Sequence, residues 1–196
     1  MVKKNFNFKK EYKLSWNYIK GCRNFIYAIV LVFFLFVLFG FLFPIPAELE
    51  KIIIEFLEDL LEQTKDFTQF EMIEFLFLNN LKSSFFGLIF GVMLGIFPMI
   101  SSMINGYIIG FVVLKTVGTE GILVLWRLFP HGIFELPAVF ISLGMGLKFG
   151  TFIFQKKRMK SFKNYFWNGL RVFLLVVIPL LIIAAVIEGG LIFLVG

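Results

Sequence analysis

A chain of 196 residues that is 59% hydrophobic, 19% aromatic and only 16% charged is poorly suited to water, since a soluble domain carries roughly a quarter of its residues charged. The net charge of +6 is concentrated: seven of the 19 basic residues precede residue 24 and seven more lie between Lys148 and Arg171, whereas nine of the 13 acidic residues fall between Glu48 and Glu74. Basic runs directly beside apolar segments orient spans and meet anionic lipid, which argues against nucleic acid as a partner, and a single cysteine, Cys22, excludes an intrachain disulfide and a cysteine-based metal site.

The chain opens with a basic leader, residues 1–24, placed in the cytoplasm by its lysines. Residues 25–43 are 19 uninterrupted apolar residues, enough to cross a ~30 Å hydrocarbon core at 1.5 Å per residue, and are the first expected span. Leader and apolar run are both too long for a signal peptide. Pro44 and Pro46 stop this helix. Residues 47–82 then alternate acids with Leu, Ile and Phe at helical spacing: Leu49, Ile53, Phe56, Leu60, Phe67 and Phe70 share a stripe, with Glu48, Glu55, Glu58, Asp59 and Glu62 largely opposite. The expectation is an acidic amphipathic helix outside the cytoplasm, lying on the membrane, on a partner or on the chain's own spans.

From Phe85 to Phe149 the sequence is apolar for 65 residues, room for about three crossings of ~20 residues each. Three crossings also return the chain to the cytoplasm by Lys148, as the charge rule requires. Spans are expected over 83–98, 101–117 and 121–148, with a turn around Pro98, Ser101, Ser102 and Asn105. Gly87, Gly91 and Gly95 recur every four residues, as do Gly106 and Gly110, and Gly144 and Gly146 follow. Such glycines let helices approach closely within lipid, either inside one chain or in a homodimer. Residues 149–169 interleave Lys156, Lys157, Arg158, Lys160 and Lys163 with aromatic residues and read as a basic cytoplasmic loop; residues 170–187 form the fifth span, kinked at Pro179, before Glu188-Gly189-Gly190.

One segment stands out. Arg127, His131 and Glu135 sit in an apolar run together with Pro130, Gly132 and Pro137, although a charge at mid-membrane costs roughly 2.5–3.5 kcal/mol on the insertion scale. Their spacing of four puts all three on one face if a helix passes through Pro130, whereas a helix broken near Pro130 frees backbone groups for them to satisfy. With Glu188, three roles are open: a structural cluster of paired charges, a pathway for an ion, a proton or a lipid headgroup, or a metal-assisted hydrolase. The last lacks the usual second histidine, since His131 is the only one. No catalytic residue, metal or cofactor is expected.

The run Phe129-Pro130-His131-Gly132-Ile133-Phe134-Glu135-Leu136-Pro137-Ala138, followed by Gly144, Gly146 and Gly150, resembles the PHGxxE-x-PA signature of the stage II sporulation protein M family. Asn105-Gly106 with Gly110, and Ala184-Ala185-Val186-Ile187-Glu188, match its other recurrent positions, so the resemblance runs from about Asn80 to Glu188. It implies an all-α, multi-span membrane protein, in keeping with the bundle of about five spans in the cell membrane read from run lengths and charge. It further implies a septal component that anchors and recruits the peptidoglycan-degrading stage II sporulation proteins D and P, with no catalysis of its own. Relatives occur in organisms that neither sporulate nor carry murein, so sporulation is not carried over. The expectation is therefore a non-catalytic membrane scaffold for membrane or extracytoplasmic proteins, with a small transporter or permease subunit built on the Arg127, His131, Glu135 and Glu188 group as the alternative.

Overall fold

The computed structural model describes residues 7–43, 45, 47–120 and 129–195, with the side chains of 119, 120, 129–131 and 195 outside the description. Every regular element among these residues is helical. In chain order they are α1 (Phe8–Leu42), α2 (Ala47–Thr64), α3 (Gln69–Ile89) running into a 3₁₀ turn at Phe90–Val92, α4 (Ile96–Glu120), α5 (Phe129–Gly150) with a 3₁₀ turn at Thr151–Phe154, α6 (Arg158–Val172), a π-helical turn at Phe173–Val177, and α7 (Ile178–Val195). Among the described residues, five segments are long and apolar enough to cross a membrane: Phe8–Leu42, Gln69–Val92, Ile96–Gly118, Gly132–Phe154 and Arg158–Leu194. The chain is an all-α, multi-pass membrane bundle.

Several boundaries differ from those read in the sequence, each for a local reason. The segment 47–82 is two helices, because Thr68 restarts the chain: its hydroxyl accepts from the Glu71 amide while the Glu71 carboxylate accepts from the Thr68 amide at 2.8 Å. Residues 69–82 thus belong to the second span, which ends before the expected 83–98 does. The turn expected at Ser101–Asn105 falls at Met93–Gly95, where Leu94 (φ 59°) and Gly95 (φ 73°) are left-handed. Pro98 then occupies the first turn of α4, where its missing amide hydrogen breaks no bond, and Ser101, Ser102 and Asn105 lie within the helix. The basic stretch 149–169 is not a loop either: from Arg158 it is helix, continuous with the fifth span through the π turn. Pro179 crowds the carbonyl four residues earlier, that of Leu175, which lies inside that π turn; the irregular turn absorbs the ring. Glu188, Gly189 and Gly190 stay helical. Pro130 falls in the first turn of α5 and Pro137 inside it, and the upstream half of the expected break, with all of Arg127, lies outside the described residues.

α5 is the central element, half of its apolar window buried, and it touches α1, α3, α4, α6 and α7. Its partners approach through residues without side chains. Gly91 backs onto the main chain of Gly146, Gly146 onto Gly87, and Gly150 onto Leu94 and Gly95, so α3 and α5 meet backbone to backbone. α1 and α4 run side by side in the same manner, with Gly106 against Phe33, Gly110 against Val37, and Gly40 against Tyr107. Gly144 meets Ile26 of α1, and Gly95 meets Leu147. These glycines are occupied by contacts within one chain. Aliphatic and aromatic side chains fill what remains, in one cluster around Val172, Phe173 and Leu181 and another around Ile29, Phe33 and Leu143. α2 stands apart from this packing, with no buried residue.

Candidate functional site

The interior is not uniformly apolar. Where α1, α3, α4 and α5 converge, a pocket of about 40 Å³ is lined by Asn80, Ser83, Ser102, Asn105 and Glu135, closed below and around by Phe33, Leu136 and Leu143. Phe33 is the ninth of the 19 apolar residues from Phe25 to Phe43, so the pocket sits near mid-depth in a ~30 Å hydrocarbon core. Water is scarce at that depth, and each polar side chain needs a partner within the protein.

Two serines meet that need by joining helices. Ser102 donates to the Ile29 carbonyl at 3.0 Å and ties α4 to α1, and Ser142 donates to the Ser84 carbonyl at 2.7 Å and ties α5 to α3. Asn105 donates to the Ser101 carbonyl at 2.8 Å, which leaves its amide oxygen to act as an acceptor. Glu135 is only 5% exposed and is engaged within the protein. The Ser84 and Tyr107 hydroxyls are buried without a hydrogen-bond partner among the described residues. The pocket has room for about one or two waters and the 2–4 polar partners a buried water requires. No group of three His, Cys, Asp or Glu side chains converges among the described residues.

Of the polar residues singled out in the sequence, Glu135 therefore lies in the pocket wall, and Glu188 lies half-buried on the neighbouring α7, likewise engaged. Arg127 and the His131 side chain fall outside the described residues. Gly132 is half-buried near Leu136 and Pro137 is exposed. Asn80, Ser83 and Ser84 on α3 and Ser142 on α5 were missed, because Ser142 stands singly in an apolar run and the polar side of α3 reads as the end of an aqueous helix. Its signal is the repeat of Asn80, Ser83 and Ser84 at three- and four-residue spacing, one polar face on a segment otherwise apolar enough to span.

The ends of the bundle carry the charge. At one end Lys148 donates to the Gly21 carbonyl at 3.0 Å and lies over the rings of Tyr18 (4.7 Å) and Tyr165 (5.4 Å), while Arg171 pairs with Glu11 at 2.6 Å. At the other end Lys115 of α4 pairs with Glu50 of α2. On α2, Glu48, Lys51, Glu55, Glu58 and Glu62 follow one another at alternating three- and four-residue steps, with Asp59 beside them, and make a largely acidic face in which Lys51 pairs with Glu55 at 3.6 Å.

Compared with known proteins, the chain matches a family model described as stage II sporulation protein M over residues 29–191, from the apolar part of α1 almost to the end of α7. No curated protein and no solved structure matches it.

Proposed function

This chain belongs to the stage II sporulation protein M family, and from that premise we propose that it is a non-catalytic membrane scaffold whose acidic helix α2 recruits extracytoplasmic proteins. The observation that carries this reading is α2 itself. A helix with a face of five acids interrupted only by Lys51, no buried residue and an ion pair to α4 holding it at the bundle's end spends nothing on its own core, and is placed to present charge outward. By the charge rule the basic ends of α1 and α6 are cytoplasmic and α2 is outside. Its partner then carries a basic surface. The pocket that Glu135 lines among the described residues is in keeping with this reading: at about 40 Å³ it is well below the ~300–1,000 Å³ of small-molecule sites.

The test is crosslinking and affinity capture from native membranes, comparing the unaltered chain with a Glu55→Gln, Glu58→Gln, Asp59→Asn, Glu62→Gln variant. Loss of captured partners at equal protein level supports recruitment through α2; an unchanged set of partners refutes it. A carboxylate lining a polar mid-membrane pocket favours a second reading, a small transporter or permease subunit. Proton or monovalent-cation flux in reconstituted vesicles that vanishes on Glu135→Gln would establish it and displace the scaffold.

A further inference from the structure

At the basic end, a groove of about 370 Å³ opens between Glu11 of α1 and the C-terminal part of α6 with the π turn that follows it, walled by Glu11, Trp167, Leu170, Arg171, Leu174 and Leu175, with Lys163 and Lys160 one and two turns before Trp167. Along α6 and into the π turn, Lys160, Lys163, Trp167, Leu170 and Leu174 recur at three- and four-residue steps, so they follow one side of the helix in a fixed order: cation, aromatic ring, aliphatic side chain. From Lys163 to Leu174 this order covers ~16 Å of helix. It matches the sequence of environments along a phospholipid, from headgroup through interface to acyl chain.

The helix is irregular at the apolar end of the groove. The π turn at Phe173–Val177 leaves Leu174 54% exposed beside the half-buried Leu175, giving the groove an apolar floor that faces lipid. Trp167, 62% exposed, stands at the border between floor and charge, where an indole is best placed. Arg171 is already spoken for, bonded to Glu11 at 2.6 Å and donating to Asn168 at 2.7 Å, and serves as a fixed wall. The unspent charge is on Lys160 and Lys163, both exposed and forming no ion pair among the described residues. Around them, residues 156–171 hold six cations and no acid.

We propose that this groove is a binding site for one anionic phospholipid, its phosphate held by Lys160 and Lys163, its interface against Trp167, and one acyl chain along Leu170, Leu174 and Leu175. The occupant is a lipid rather than a peptide because the apolar floor continues from the bilayer, whereas the cations lie only at its aqueous end. This site is independent of partner recruitment by α2 at the opposite end of the bundle.

The test uses the full chain with Trp167 as the only tryptophan (Trp16→Phe, Trp126→Phe), reconstituted in phosphatidylcholine vesicles containing increasing brominated phosphatidylglycerol or brominated phosphatidylcholine. Quenching of Trp167 by the anionic lipid is expected to saturate at a mole fraction on the order of tenfold lower than for the zwitterionic lipid, since each lysine near the surface favours an anionic headgroup. Lys160→Gln with Lys163→Gln should bring the two curves together. Both lysines are exposed and form no ion pair among the described residues, and the comparison of lipids on the unaltered lysines stands without the variant. Coincident curves for the two lipids would overturn the site. A preference that survives the double substitution but disappears on Lys9→Gln with Lys13→Gln would also overturn it, by placing the lipid on α1.

Discussion

Gly106 and Gly118 lie on the same helix, α4, three turns apart, and differ in what faces them. A methyl group added at Gly106 meets the main chain of Phe33, within 3.2 Å of its carbonyl carbon, whereas one at Gly118 meets nothing within 4 Å. Replacing either by alanine gains up to ~1 kcal/mol of intrinsic helix preference. At Gly118 that gain stands alone. At Gly106 the neighbour is backbone and cannot rotate away, so α1 and α4 must separate, and overpacking of this kind costs about 1–3 kcal/mol. The separation also strains the Ser102 bond to Ile29, one turn below on both helices, worth ~0.6 kcal/mol more. Gly106→Ala should therefore be less stable than Gly118→Ala by about 2 kcal/mol. Reversible unfolding of the full chain in mixed micelles with increasing dodecyl sulfate, followed by fluorescence, measures the difference. Equal shifts for the two variants would refute close backbone packing of α1 on α4. If the shifts were equal while Gly106→Ala abolished intermolecular crosslinking, the glycine face would be serving a dimer instead.

Three further outcomes follow from named contacts. Ser102→Ala and Ser142→Ala each remove one interhelical hydrogen bond and should cost ~0.6 kcal/mol, at most ~1.7, in the same unfolding assay; a change above that range would mean that the serines anchor more than the carbonyls of Ile29 and Ser84. Lys115→Ala should shift global stability by under about 1 kcal/mol yet speed hydrogen exchange across 47–64, because the pair with Glu50 holds α2 to α4; unchanged exchange would show that α2 is held by something else. In a Cys22→Ser background, Glu62→Cys should react with an impermeant maleimide in intact cells and Lys160→Cys only after permeabilisation. The reverse pattern would invert the proposed orientation, and labelling of both would contradict five crossings.

The number of spans was legible because it rests on run length and hydropathy, which the bilayer enforces directly. Their edges were less so, and the reason is specific to α3. Asn79, Asn80, Ser83 and Ser84 make one side of that helix polar, and periodicity alone does not distinguish a polar side facing water from one facing the middle of a bundle. The Thr68–Glu71 capping box, visible in the sequence, was the better guide to where the helix begins. Likewise Ser101, Ser102 and Asn105 look like a turn until Gly95 and Pro98 are weighed together, the one permitting a left-handed residue and the other a helix start. The glycine repeats on α3 and α4 were readable from their spacing; Gly40, whose neighbour is the Tyr107 carbonyl, was not, having no second glycine in register. The presence of Glu135 in the polar interior could be argued from cost, but its companions on α3 could not, since nothing in the sequence brings residues 80 and 135 together.

That arrangement leaves open why a carboxylate is kept at mid-depth, and a pair of substitutions decides it. On insertion scales leucine is far better suited to this depth than any charged residue, whose central placement costs roughly 2.5–3.5 kcal/mol. If the pocket were a passive gap, Glu135→Leu would stabilise the bundle. In the structure, however, Asn80, Ser83, Ser102 and Asn105 line the same small space. An aliphatic group there removes a polar partner from the buried Ser102 and the half-buried Asn80 and Ser83 at mid-depth, and each buried polar group left unsatisfied costs about 1–3 kcal/mol. Glutamine keeps the shape and two polar atoms. Stability should fall in the order unaltered chain, Glu135→Gln, Glu135→Leu, the opposite of the hydropathy order. Should Glu135→Leu prove the most stable of the three, the polar shell would not be organised around the carboxylate. Its charge would then be retained against stability, as an ion path demands and a scaffold does not.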